Sequence, residues 1–250
     1  MVLALKLILT PLLIALATLA GRRWGPGVSG WLVGLPLTSG PISFILAWQQ
    51  GRPFAAHAAV GTLGGLSSVC FFCLAYALIS AALSWPAASA LALGVFLVSA
   101  ALWNALSLPL LPTIVILAAA IAGTFALMPR RAAPDAALTP PKWDLPLRMV
   151  VATGFVLALT AASSALGPRL SGIISPLPIF GVILAAFTHR MAGTAAAARV
   201  MRGMVIGSLG FAGFFVVVAC LLEAWPIGAT YLLAIGVALG INGVSLRVAR

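Results

Sequence analysis

Nine apolar stretches follow one another along this chain, at approximately 3–21, 28–50, 55–82, 85–105, 108–128, 148–166, 171–188, 203–222 and 226–246. Each is close to the roughly 20 residues a helix needs to cross a hydrocarbon core of about 30 Å. In lipid every backbone N–H and C=O must be satisfied within the segment, so runs of this length specify helices. Only 7% of the 250 residues are charged, against roughly a quarter in a soluble domain. The expected fold class is an all-α membrane protein with about nine transmembrane helices.

The cations separate by side. With nine crossings, Arg22, Arg23, Arg130, Arg131, Lys142, Arg148, Arg190, Arg199, Arg202, Arg247 and Arg250 fall on one face, and Lys6, Arg52 and Arg169 on the other. An excess of Lys and Arg marks the cytoplasmic loops. The N-terminus is then expected outside and the C-terminus in the cytoplasm. A loop bias of this kind also accounts for the net charge of +11, so no nucleic-acid partner is implied. The opening segment "MVLALKLILTPLLIALATLAGRR" has its arginines after the apolar run and no clear cleavage site, which reads as a retained first span.

The two halves resemble each other. "GPGVSG" at 25–30 answers "GPRLSG" at 167–172, and each is followed six residues later by Leu-Pro, at Leu35-Pro36 and Leu177-Pro178. "VGTLG" (60–64) answers "IGSLG" (206–210), Trp85-Pro86 answers Trp225-Pro226, Gly94-Val95 answers Gly236-Val237, and "NALSL" (104–108) answers "NGVSL" (242–246). Matches in one order define two four-helix repeats, residues 1–108 and 147–250. Between them lie a linker helix and a polar loop, 109–146, ending in "PRRAAPDAALTPPKWDLP". That one extra crossing turns the second repeat upside down, the layout of many secondary transporters.

The second span is interrupted by "GLPLTSGPISF", residues 34–44. An interior proline costs a helix about 3 kcal/mol. Its counterpart "ISPLPIFG", 174–181, interrupts the seventh. Paired interruptions at corresponding places in two repeats point to a binding site at mid-membrane. The candidate substrate-binding residues are Pro36, Thr38, Ser39, Gly40 and Ser43 in the first repeat, and Ser175, Pro178 and Gly181 in the second, with Phe180 as a wall. Asn104 and Asn242, which are repeat mates, join them. Hydroxyls and freed N–H groups at a helix start suit a small polar or anionic group. The competing reading is a pair of proline kinks packed for shape, with Ser and Thr bonding back to carbonyls and the asparagines bridging helices.

Catalytic and cofactor chemistry finds little material. Asp135, Asp144 and Glu223 are the only acids. Both aspartates are expected in the polar loop and Glu223 near the outer end of the eighth span, leaving no carboxylate at mid-membrane for proton coupling. No paired carboxylates, Ser/His/Asp set, phosphate loop or metal cluster can be assembled, so the chain is read as a non-enzyme without cofactor or metal. His57 and His189 fall near opposite surfaces, where a single cofactor cannot use both. Cys70, Cys73 and Cys220 read as small residues in apolar runs. Glycines four apart, Gly61/Gly65, Gly203/Gly207 and Gly236/Gly240, offer faces for close helix approach. Spans three and eight are expected to cross the interrupted helices, and one such face is also a candidate homodimer contact.

The segment "GLPLTSGP" with the "QG" that follows it resembles a stretch found in uncharacterised bacterial multi-pass inner-membrane proteins, over residues 25–51 and again at 167–178. That resemblance implies the bacterial inner membrane and supplies no substrate. The two-repeat layout is similar to that of inverted-repeat secondary transporters. The function expected is a small transporter or permease among membrane lipids, moving a small-molecule substrate. A lipid scramblase or lipid-carrier flippase and a non-transporting assembly subunit are the alternatives.

Overall fold

The structure, a computed structural model, describes residues 2–129, 143–154, 157 and 177–249. All secondary structure among the described residues is helical. In chain order the helices are α1 (Val2–Trp24), α2 (Pro26–Val33), α3 (Ser39–Gln50), α4 (Arg52–Ile79), α5 (Trp85–Leu106), α6 (Leu110–Leu127), α7 (144–154), α8 (Ile179–Leu221) and α9 (Ile227–Ala249). Five of them, α4, α5, α6, α8 and α9 as far as Leu246, are long and apolar enough to cross a membrane. The described residues are all-helical, and the length and apolar composition of these five helices are those of a membrane protein.

Three corners are made by single glycines. Gly25 (φ 96°, ψ 163°) joins α1 to α2, and Gly51 (φ 90°, ψ 164°) joins α3 to α4. Gly193 (φ 80°, ψ 179°) divides α8 into a first limb, 179–192, and a second, 194–221. Only glycine holds this backbone region without strain. The Gly193 corner changes one sequence expectation. Residues 189–202, whose arginines suggested a loop between two spans, are helical on both sides of Gly193. A one-residue corner needs no loop, and the alanine run 195–198 favours helix.

The described elements recur at a constant spacing of 142 positions, the offset of the Leu-Pro and Gly-Val matches; the matches 60–64 with 206–210, Trp85 with Trp225 and Asn104 with Asn242 fall outside this register. Pro36 corresponds to Pro178, the Gly51 corner to the Gly193 corner, the 28-residue α4 to the second limb of α8, the turn 80–84 to the turn 222–226, and the start of α5 at Trp85 to the start of α9 at Ile227. The interior follows the same spacing. The described residues form two core clusters. Phe72, Cys73, Tyr76 and Ala92 lie in the first, and their counterparts Phe214, Phe215, Val218 and Ala234 in the second. Conversely Ala55, Ala56, Ala59 and Leu63 lie in the second, and Ala197, Ala198, Met201 and Val205 in the first. A shift of 142 exchanges these residues between the two clusters.

α4 and the second limb of α8 run antiparallel at the centre. The start of α4 meets the end of α8: Arg52 Nη1 donates to the Trp225 carbonyl at 3.4 Å, and His57 lies 3.9 Å from Glu223. The end of α4 meets the Gly193 corner, with Tyr76 Oη 3.3 Å from His189 Nδ1. The molecule therefore has a Gly51 end and a Gly193 end. Arg22, Arg148, Arg190 and Arg202 belong to the second of these, with Arg202 over the Phe125 ring near the end of α6 and Arg148 over that of Phe187.

Candidate functional site

α2 has 8 residues and α3 has 12, so at 1.5 Å per residue the interruption at 34–38 lies about 12 Å from one corner and about 18 Å from the other. α2 closes with a tightened turn in which Leu35 N donates to Leu32 O at 3.3 Å. Helix resumes when Pro36 O accepts from Gly40 N at 2.9 Å. Among the described residues the N–H groups of Leu37 and Thr38 take no backbone acceptor, and Pro41 leaves the Leu37 carbonyl without its i+4 donor. At the second interruption Pro178 (φ −79°, ψ 58°) forms an inverse γ-turn, with Ile179 N donating to Leu177 O at 2.8 Å.

The two interruptions share a cavity of about 40 Å³. Leu35, Leu37 and Thr38 from the first and Phe180 from the second line it, together with Leu32 and Val33 of α2 and Leu13, Leu16 and Ala17 of α1. Its walls are apolar, and among the described residues that line it Thr38 is the one with a hydroxyl. The other expected site residues scatter around it. Pro36 and Ser39 are half-buried beside the cavity without lining it. Gly40 packs against the Phe214 ring, and Gly181 against the Met204 thioether. Ser43 is buried and pairs with Tyr231 Oη at 2.7 Å, which ties α3 to α9. Pro178 is buried. Asn242 is buried against Gly210, and its side-chain oxygen has no partner among the described residues. Asn104, which the sequence matches paired with it, is exposed at the end of α5. Ser175 lies outside the described residues.

The interruption is held by a backbone-to-backbone crossing of α2 over the second limb of α8. Gly203 lies against the Gly27 carbonyl, Gly207 against that of Trp31, Gly30 against that of Val200, and Gly34 against that of Met204. Any side chain at these four positions would meet the neighbouring helix's backbone. Close approach of this kind places Cα–H groups near carbonyls. Trp31 Nε1 donates to Ser245 Oγ at 3.0 Å and fastens α2 to α9. The expected use of Gly203/Gly207 is observed, and with it the crossing of span eight over the interrupted helix. Gly61, Gly236 and Gly240 face open space instead. Sequence spacing is the same in all three pairs; only the neighbouring helix distinguishes them.

Sequence reasoning missed a buried ion cluster at the Gly193 end. Asp144, assigned to the polar loop, opens α7 with its side chain only 1% exposed. Its Oδ2 accepts from Arg22 Nη2 and its Oδ1 from Arg148 Nε, both at 2.9 Å. Residues 130–142 of the loop lie outside the described residues. A signal was present: an aspartate with Pro146 in the first turn and Arg148 four residues on is a helix-start pattern. Among the described residues no group of three or more His, Cys, Asp or Glu side chains can hold a metal ion.

The chain matches no family model, no curated protein and no solved structure with which it was compared.

Proposed function

We propose that the chain is a small secondary transporter or permease, built from two inverted four-helix repeats, whose site lies between two interrupted spans. α2 and α3 form one such span, and the first limb of α8 belongs to the other. The observation that carries this reading is that Leu35, Leu37 and Thr38 from the first interruption and Phe180 from the second line one cavity. Two further facts support it. Eight pairs of core residues exchange clusters under a shift of 142 positions, and the corresponding helices α4 and the second limb of α8 run antiparallel, as a two-fold axis in the membrane plane requires. Gathering of arginines at the Gly193 end favours that end as cytoplasmic, in a bacterial inner membrane. The freed N–H groups of Leu37 and Thr38 and the Thr38 hydroxyl are the donors offered to a small polar or anionic solute.

A second reading, lipid handling, is favoured by one observation. The cavity walls are apolar, and Leu16 both lines the cavity and is half exposed on α1, on the surface that lipid tails would contact.

One screen separates these readings. Purified protein is tested by thermal shift against metabolites, inorganic anions and lipid head groups, in parallel with Thr38→Val and with a Pro36→Ala/Gly40→Ala double variant. Transport predicts a soluble ligand that stabilises the parent, fails to stabilise either variant, and is taken up by proteoliposomes. Stabilisation by lipid head groups alone supports lipid handling. No stabilising ligand, with the double variant losing folded protein, leaves the assembly-subunit alternative.

A further inference from the structure

We propose that Asp144 is the latch of a gate at the cytoplasmic end, a regulation of the same site that rests on the transport reading above. One carboxylate ties three chain segments. Arg22 ends α1, just before the Gly25 corner into the interrupted span; Asp144 opens α7; and Arg148, 7% exposed, lies over the Phe187 ring at 4.9 Å and near the Met191 sulfur at 3.7 Å, both on the first limb of α8. The Arg22–Asp144 bond therefore joins the first repeat to α7 and, through Arg148, to the second interrupted segment. It does so on the cytoplasmic side of both interruptions.

At the other end the charged contacts between the repeats are of a different kind. Arg52 reaches the Trp225 carbonyl at 3.4 Å, and His57 stands 3.9 Å from Glu223 with the two side chains 81% and 55% exposed. Exposed contacts of this sort contribute little, whereas parting a buried, doubly hydrogen-bonded carboxylate from its cation is costly. An inverted-repeat carrier opens one end as it closes the other. Among the described residues the buried tie is at the cytoplasmic end, and it favours the conformation closed at that end. Opening toward the cytoplasm must withdraw Arg22 from Asp144 while Arg148 stays with it. Arg22, whose side chain is 34% exposed, is the partner that water can reach and take over. Asp144 touches no solute here; it is a positioning residue acting through α1 and the first limb of α8.

The test reads sided accessibility at the site. Thr38→Cys is introduced with Cys220, an exposed thiol, replaced by serine; Cys70 and Cys73 are buried and stay. Inside-out and right-side-out vesicles are treated with a membrane-impermeant maleimide. Arg22→Gln, which leaves the Asp144–Arg148 pair whole, is expected to label from the cytoplasmic face about tenfold faster than the parent, within the usual range of conformational couplings. Labelling from the opposite face should not rise, and Arg22→Lys should return most of the parental rate. An unchanged cytoplasmic rate in Arg22→Gln overturns the latch while leaving the transport reading in place. Equal acceleration from both faces overturns it too, since the change is then a general loosening. If Thr38→Cys labels from neither face in the parent or any variant, the site itself is wrong and the latch falls with it.

Discussion

Consider Gly203→Ala. A methyl group at position 203 points at the Gly27 carbonyl on α2, and the same crossing holds Gly30 against Val200, Gly34 against Met204 and Gly207 against Trp31. α2 is rigid over this short length, so relieving one overlap moves all four contacts. Restoring an ordinary C···O separation of about 3.3–3.6 Å needs a displacement of roughly 1–2 Å, of which retreat of the helix takes about half and local overpacking the rest. A gap of 0.5–1 Å already forfeits a quarter to a half of the dispersion energy of each atom pair, about 0.1–0.2 kcal/mol per pair at contact. With some 20–30 pairs across such a crossing, the loss is about 1–2 kcal/mol. Residual overpacking adds about 1–2 kcal/mol. Replacing glycine inside a helix returns about 1 kcal/mol. The net cost is about 2 kcal/mol, or roughly 4–8 °C in the melting temperature of a chain this size. The seven tryptophans make intrinsic fluorescence on heating in detergent a direct assay. Gly236→Ala is the control: its added methyl meets nothing within 4 Å, so melting should stay level or rise by a few degrees, about 0.5–1 kcal/mol. A Gly203→Ala protein that melts at or above the parent, with Gly236→Ala unchanged, refutes the crossing.

Other outcomes follow from the same structure. Gly51→Ala and Gly193→Ala force a side chain into φ 90° and 80° and should each cost about 1–3 kcal/mol, seen as lowered melting temperatures; Gly94→Ala, in open space within α5, should not. Ser43→Ala and Tyr231→Phe each remove one side of a buried 2.7 Å hydrogen bond, and a double-mutant cycle on melting temperature should report a coupling of about 0.6–2 kcal/mol. Asp144→Asn leaves Arg148 buried beside a neutral amide and should destabilise by about 3–5 kcal/mol, measured as loss of monodisperse protein on size exclusion, whereas Arg22→Gln should stay folded.

Much of the helical layout was legible because a bilayer imposes its thickness on the sequence. Apolar runs, the Leu-Pro interruptions and the "GPxxSG" repeat all report constraints that act locally, one span at a time. What stayed hidden depends on neighbours. Gly203/Gly207 and Gly236/Gly240 have identical spacing, yet one pair meets a backbone and the other open space. Ser43 looked like a free hydroxyl and is taken by Tyr231, a partner 188 positions away. Asp144 looked like loop because its surroundings are polar and proline-rich, and its buried partners are Arg22, 122 positions away, and Arg148, which packs on Phe187 of the first limb of α8. The Gly51 and Gly193 corners, 142 positions apart, are announced by no flanking match, since "QQGRP" and "MAGTA" share only the glycine that the backbone needs.

Inversion of the two repeats is tested most directly at those corners. Gln50→Cys and Arg190→Cys are each exposed beside their glycine and can be labelled, in the Cys220→Ser background, from either face of sealed vesicles. Reaction of the two positions from opposite faces is the predicted result. Reaction of both from the same face would contradict it.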